Sequence, residues 1–172
     1  YMIFLYPPGT TEFDSVPSSP LTDAFNDVMI EELNGRYDLS FDYPIDKLEE
    51  INYEFKDFSI ITADSPRYDR QPFFITEIEK KDDHIHVEAK HVFFLLDIFN
   101  MNEIECTGNV TYALSVAMRA IIDKDKFPLN LMSGMDTRVH LKTDEKTSLM
   151  DTLCKGQDSL LAQCRGELVR TG

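Results

Sequence analysis

The sequence predicts an α+β fold in which an all-β portion comes first and an α+β portion follows from about residue 98. Two early segments alternate apolar and polar residues on either side of a short turn, as half-buried antiparallel strands do. A later segment repeats its apolar residues at helical spacing. The 172 residues are enough for one domain or two small ones with a sizeable core.

The first alternating segment covers residues 27–44 and predicts a hairpin. Asn34-Gly35 is typical of a two-residue loop, because both central residues of a type I′ turn have positive φ. That loop sets Ile30 opposite Leu39 and fixes which side chains share a face. The predicted apolar face carries Val28, Ile30, Tyr37, Leu39, Phe41 and Tyr43.

The second alternating segment covers residues 72–92 and predicts another hairpin, with its turn at residues 81–83. In this pairing His86 lies across from Glu77. One face is predicted to hold Phe74, Thr76, Ile78, Ile85, Val87 and Ala89. The opposite face is predicted to hold Glu77, Glu79, His84, His86, Glu88 and Lys90.

The other elements of the first portion are short. Apolar runs predict strands over residues 2–6 and 58–63. Helical spacing predicts one or two helical turns within residues 45–55. Residues 10–20 and 64–71 are predicted loops, because they are rich in proline and in serine or charged side chains.

The second portion begins with a helix from Asn109, its predicted N-cap. The apolar stripe of that helix is Val110, Ala113, Leu114, Ala117, Met118, Ile121 and Ile122. Ser148 and Asp151 have the spacing of a capping box before a second helix that ends near Gly156, and Asp158 is the predicted cap of a third. Residues 97–107 are a predicted connector, and short strands are predicted over residues 129–132, 138–141 and 167–170.

The formal net charge is −14, from 31 acidic and 17 basic side chains. This excess of negative charge argues against nucleic-acid binding that depends on neutralising phosphates. It also argues against docking on an anionic membrane surface. A solvated acidic surface that resists self-association is enough to explain the charge.

Three cysteines, Cys106, Cys154 and Cys164, form no C-x-x-C pair and are expected to be reduced thiols. Cys154 and Cys164 fall on predicted apolar helix stripes, where a thiol acts as a small hydrophobe. The longest apolar runs are far too short to span a bilayer. No basic region precedes an apolar stretch and a cleavage site, so no secretion signal is predicted.

The histidines are the first candidates for catalytic or metal-binding residues. His84 and His86 share a strand face, which fits either a metal site or a surface histidine pair, and the surface pair is favoured because no further ligand is evident. His91 has the opposite parity, and His140 is remote in sequence. The adjacent acids at 31–32, 49–50 and 82–83 lie near a predicted turn, in a short predicted helix and in another turn, as is typical of solvated acids. The residues alone therefore predict no catalytic, cofactor-binding or metal-binding residue and no cofactor.

Several stretches together resemble a known family. Residues 31–44 (EELNGRYDLSFDYP) resemble its E-x-L-N-G-x-Y-x-L-x-x-x-Y-P hairpin. Residues 71–78 with 87–97 are similar to its next hairpin, which ends in A-[RK]-H-x-x-[FY]-x-L-D. Residues 159–168 resemble a later helix and a G-G-E-[LF] strand, although Cys164-Arg165 departs from the usual aromatic and glycine. The family is that of phage minor structural or tail-associated lysin proteins, also called prophage endopeptidase tail proteins.

This resemblance to the amino-terminal hub region implies a baseplate-hub-like fold. Residues 1–98 would form an antiparallel β-barrel-like domain, incomplete in this chain. Residues 99–172 would form a smaller α+β domain, truncated at its carboxy-terminal end. The chain is accordingly expected to be a fragment, or the ordered part of a longer protein.

The resemblance also implies a function. The expected role is a structural component of a (pro)phage tail tip: a hub that assembles as a ring of three and closes the tail tube. It would be made in the bacterial cytoplasm, and its partners would be its own copies, the distal tail protein and other tail-tip proteins, with no membrane or direct nucleic-acid contact. No enzymatic activity is expected here, because the family's cell-wall hydrolases lie in later domains. The alternatives are a peptidoglycan endopeptidase and a host-surface carbohydrate-binding module; the absence of tryptophan disfavours the second.

Overall fold

The computed structural model describes residues 1–10, 13, 18–33, 35–65, 70–122, 131–144 and 147–166. The chain divides after Val92 into two compact units. The first is built on an antiparallel sheet, and the second combines a small antiparallel sheet with helices. The predicted α+β class is therefore confirmed, while the assignment of domains to residues 1–98 and 99–172 stays a prediction.

The sheet of the first unit has seven antiparallel strands in the order β2-β1-β5-β6-β7-β4-β3 within the described ranges. Both predicted hairpins are present, as β3–β4 and β6–β7, and short 3₁₀ helices follow β4 and β7. The strands are β1 (Ile3–Tyr6), β2 (Ser19–Pro20), β3 (Phe25–Glu31), β4 (Tyr37–Pro44), β5 (Ile60–Ala63), β6 (Gln71–Lys80) and β7 (His84–His91); the 3₁₀ helices are Ile45–Glu50 and Val92–Asp97.

This sheet is curled. Pro20 ends β2 and Phe25 begins β3, yet these strands lie at opposite ends of the sheet. Five residue steps can span at most about 18 Å. A flat seven-stranded sheet would measure about 29 Å from its first strand to its last. The chain can make this connection only because the sheet bends into an open half-barrel.

The concave face of the half-barrel carries the core, and β4 and β7 supply its centre. The predicted apolar faces of these two strands are confirmed, and register places Phe41 opposite Val87. Strict alternation holds along both strands because each is paired on both sides. The inward residues, all at most 5 % exposed, are Tyr37, Leu39, Phe41, Tyr43, Ile85, Val87 and Ala89.

The predicted loop of the first hairpin is wrong by one residue. β3 and β4 pair Met29 with Leu39 and Ile30 with Asp38. The Glu32 amide donates to the Arg36 carbonyl at 2.7 Å, which leaves a three-residue loop over 33–35. The middle residue of that loop, Asn34, lies outside the described residues.

This slip moves Val28 and Ile30 from the predicted core face to the outer face. Val28 lies opposite Ser40 and is 49 % exposed. A register shift between Phe25 and Val28 also interrupts the β3–β4 hydrogen-bond ladder near the start of β3. β3 lies at the edge of the sheet formed by the described residues, where no second strand and no full core contact fix its register.

The second hairpin is also shifted, because β6 carries a bulge at Thr76. Phe73 and Ile75, both 0 % exposed, take the core positions that had been predicted for Phe74 and Thr76. Beyond the bulge Ile78 lies opposite Val87, as its predicted face requires. Glu79, not Glu77, lies across from His86, and Glu77 faces Glu88.

In its described residues, the second unit pairs β8 (Glu105–Asn109) with β9 (Arg138–Lys142) and packs three helices around an apolar core. The helices are α1 (Val110–Ala120), α2 (Leu149–Cys154) and α3 (Leu160–Cys164). None of the helices within the described ranges is long and apolar enough to cross a membrane.

Two of the three predicted helix caps are confirmed. The Asn109 Oδ1 accepts from the Tyr112 amide at 2.9 Å, and Ser148 with Asp151 forms the capping box. The third is wrong: Ser159, not Asp158, caps α3, with its Oγ 3.3 Å from the Ala162 amide. Both residues follow Gly156, and the serine hydroxyl reaches the third helical amide.

The strand predictions of this portion have mixed outcomes. The strand at 138–141 is confirmed as β9. The predicted connector contains β8, which was missed because Glu-Cys-Thr-Gly-Asn has little apolar alternation. Residues 131–132 are not in a strand. The rest of that prediction and the strand predicted at 167–170 lie outside the described residues.

Candidate functional site

The most exposed strand of the first unit is β3, at one end of its sheet. Within the described part of the chain it pairs with β4 alone. Its other edge presents backbone N–H and C=O groups that can accept a further strand. Phe25 and Val28 are 39 % and 49 % exposed, so apolar side chains accompany the open edge.

The start of β3 has an unusual backbone conformation at Asn26. Asn26 lies in the register shift of the strand and has φ 51°, in the left-handed region. Asparagine adopts this region more easily than most residues do. The Asn26 Nδ2 donates to the Asp42 Oδ2 at 2.8 Å, which joins the edge strand to β4.

Asp42 is the centre of a polar cluster on the outer face of the sheet. Its side chain is mostly buried, and the second carboxylate oxygen, Oδ1, lies 2.6 Å from the His86 Nδ1. Burial raises the pKa of the Asp42 carboxyl, but the hydrogen bonds from Asn26 and His86 outweigh it and hold that pKa below its ordinary value. A carboxylate of β4 thus bridges β3 on one side and β7 on the other.

The two histidines predicted to share a face both border this carboxylate. The His84 Nε2 lies 3.9 Å from the Asp42 Oδ1, and its Nδ1 lies 2.6 Å from Asp83. The His84 and Phe25 rings also pack in a T-shaped arrangement, with centroids 5.8 Å apart. In the ranges that the structure describes, no three His, Cys, Asp or Glu side chains are arranged to hold a metal ion.

The other histidines have separate environments. His91 is buried on the opposite face of β7, where its ring stacks on Tyr37 with centroids 4.8 Å apart. His140 belongs to the second unit, and its Nδ1 lies 2.8 Å from the Thr107 hydroxyl. Neither joins the cluster around Asp42.

A small hollow lies on the outer face between β3, β4 and β7. Its volume is about 70 Å³, and its lining includes Val28, Ile30, Asp38, Glu88 and Lys90. Pockets for small-molecule ligands are usually several times larger, on the order of 300–1,000 Å³. The hollow is therefore smaller than a typical small-molecule site.

The cysteines and adjacent acids give no sign of catalysis in the described residues. Cys164 is buried, Cys154 packs against the core of the second unit, and burial raises the pKa of the Cys106 thiol. A raised thiol pKa lowers the thiolate fraction on which nucleophilic attack depends. The paired acids at 31–32, 49–50 and 82–83 are exposed, as predicted.

The sequence indicated part of this site and missed the rest. The outward parity of Asp42, His84 and His86 follows from strand alternation. The participation of Asn26 was missed, because it depends on the register shift and on a pairing distant in sequence. An asparagine directly before the predicted hairpin of residues 27–44 was the available signal.

Comparison with known proteins finds a likeness among solved structures. No family model matches the chain, and no curated protein matches it. Among solved structures the fold is similar to that of the prophage tail protein gp18 from Listeria monocytogenes EGD-e, with a TM-score of 0.59 and 13 % sequence identity. The match covers 88 % of this chain and 45 % of the Listeria protein, so this chain spans less than half of the length of the Listeria protein. At this identity the likeness shows a shared fold.

Proposed function

We propose that this chain is a structural component of a (pro)phage tail tip, where it forms part of a baseplate hub that assembles as a ring and closes the tail tube. The observation that carries the proposal is the fold shared with a Listeria prophage tail protein along most of this chain. The hairpin motif over residues 31–44 supports the same family independently of that fold.

The geometry of the first unit supports a role in assembly. β3 offers seven residues of open strand edge in the described sheet, flanked by exposed apolar side chains. Strand addition at such an edge gives affinity through backbone hydrogen bonds and specificity through alternate side chains. Copies of the same protein, the distal tail protein and other tail-tip proteins are the proposed partners.

The described residues also fit a building block better than a catalyst. The paired acids are exposed, burial raises the pKa of the Cys106 thiol, and Asp42 is engaged in a hydrogen-bonded cluster with Asn26 and His86. We therefore assign any cell-wall hydrolysis to domains beyond this region, as in the family that the sequence resembles.

Light scattering on the full-length protein tests the hub assignment. The expected result is a trimer, because the proposed hub is a ring of three subunits. A stable monomer at high protein concentration would contradict the assignment.

Two further assays separate the proposal from its rivals. A zymogram of this chain on purified cell wall is expected to show no clearing, and lysis would favour a peptidoglycan endopeptidase. A glycan array is expected to show no binding, and selective binding would favour a carbohydrate-binding module.

A further inference from the structure

We propose that Gln163 closes the free edge of β9, because its side-chain amide takes the place that a third strand would occupy beside β8 and β9. This role belongs to the second unit and does not depend on the tail-tip assignment. It would keep the second unit from adding a strand at β9.

The backbone of β9 turns alternately toward β8 and toward the opposite edge of the strand. Register pairs Val139 with Gly108 and Leu141 with Cys106. Residues of an antiparallel strand alternate between bonding to the partner strand and pointing away from it. His140, the middle residue of β9, directs its N–H and C=O groups away from β8 and toward α3. His140 is therefore the central bonding position for any strand added at this edge.

Gln163 satisfies both of these backbone groups with one side chain. The His140 amide donates to the Gln163 Oε1 at 2.8 Å, and the Gln163 Nε2 donates to the His140 carbonyl at 2.6 Å. A side-chain amide has one carbonyl oxygen and one NH₂ group, so it can reproduce the donor and acceptor of a neighbouring strand residue. The central position on the β9 edge is thus occupied from within the chain.

The position of Gln163 is fixed by α3 and by the turn before it. The Gln163 Nε2 also donates to the Asp158 carbonyl at 2.7 Å, so both of its hydrogens are used. Ser159 caps α3, while Leu160 and Cys164 are buried in the core of the second unit. Three hydrogen bonds and a packed helix therefore hold the amide against β9.

The consequence concerns strand addition. An open strand edge can pair with another chain, and proteins commonly protect such edges. A strand laid along β9 would need the backbone groups of His140, so it would first have to displace Gln163. Strand addition at β9 is therefore disfavoured, whereas the edge of β3 is unpaired among the described residues.

Hydrogen exchange of the His140 amide measures whether Gln163 closes the edge. In Gln163→Ala this amide should exchange about tenfold faster than in the wild type, because it loses its acceptor. Gln157→Ala is the matched control, since Gln157 is exposed in the turn before α3. Amides of β7 in the first unit are the internal reference and should not change in either variant. Unchanged exchange at His140 in Gln163→Ala, or an equal rise in β7, would overturn the proposal.

A strand-forming peptide then separates closure of the edge from a role that only anchors α3. The probe is Glu-Val-Glu-Val-Glu-Val-Glu with blocked ends, whose acids suit the exposed Arg138 and Lys142 of β9. Chemical-shift changes of the β9 amides should show about tenfold tighter binding to Gln163→Ala than to the wild type or Gln157→Ala. The same peptide with proline at its centre should not bind, because proline cannot donate to a strand ladder.

Three results of the peptide experiment would overturn the proposal. They are equal binding to the wild type and Gln163→Ala, absence of binding to both, and equal binding of the proline peptide. Gln163→Met keeps the experiment decisive if Gln163→Ala does not fold, because methionine has a similar length and helix propensity but lacks the amide. This variant should show the same faster exchange and tighter binding, and wild-type behaviour in both measurements would also overturn the proposal.

Discussion

β3 and β4 are the two strands of one hairpin, yet they differ in how many strands they pair with and in how deeply their side chains are buried. β4 is paired on both sides, and its inward side chains are at most 1 % exposed. β3 is paired on one side within the described sheet, and several of its side chains remain exposed. The comparison teaches that the core depends on β4, while β3 contributes less to it and keeps its outer edge available for a partner within the described sheet.

The largest expected difference between the two strands comes from apolar truncation. Phe41→Ala in β4 should lower the free energy of unfolding by about 3–5 kcal/mol, because Phe41 is fully buried. Val28→Ala in β3 should cost less than about 1 kcal/mol, since Val28 is half exposed. Guanidinium denaturation followed by circular dichroism measures both. Similar losses in the two variants would remove the distinction between core strand and edge strand.

Asp42→Asn should have an intermediate effect that depends on pH. At neutral pH it should lower the free energy of unfolding by about 1–3 kcal/mol, because the Asn26 amide and the His86 imidazole lose a buried charged partner. The pKa of Asp42 is lowered in the folded protein, so its contribution is complete above the ordinary value of 3.8. The contribution is lost as the pH falls through the lower, folded-state pKa.

Urea denaturation at neutral pH and at successively lower values below pH 4 checks this dependence. The difference between wild type and Asp42→Asn should shrink on acidification. Asp38→Asn is the matched control on the same face of β4, where Asp38 pairs with the partly exposed Arg36. It should cost less than about 1 kcal/mol. A difference at Asp42 that grows in acid would show that the sign is wrong.

The smallest expected effect lies beside the β6 bulge. Glu77 and Glu88 are directly opposite on the outer face, and like charges in this position are destabilising. Glu77→Lys should therefore raise the free energy of unfolding by about 0.2–1 kcal/mol. Thermal denaturation of this variant and of Glu103→Lys, an exposed acid outside the strands, separates the pair from the change in net charge. Equal stabilisation in both would assign the effect to net charge alone.

The sequence was most informative where local pattern and burial coincide. The alternation in β4 and β7 predicted the buried Phe41 and Val87 correctly, because a core on one face fixes parity. The caps at Asn109 and Ser148 were also predictable, since each depends on residues within three positions. These features require no knowledge of distant pairing.

The errors have a common physical cause in distant or one-sided pairing. The bulge at Thr76 interrupts an apolar run that would alternate equally well in either register. The slip of β3 became possible because an edge strand has little core contact to specify its pairing. The Asp42 cluster was only half visible, since the β4–β7 and β3–β4 pairings bring Asn26 and His86 together across distant positions.

The most direct test of the tail-tip assignment is immunogold electron microscopy of phage particles from the bacterium that encodes this sequence, with an antibody raised against this chain. The expected result is gold at the tip of the tail, farthest from the capsid. Particles that carry no gold, although the antibody detects the protein in the same lysate, would contradict the assignment.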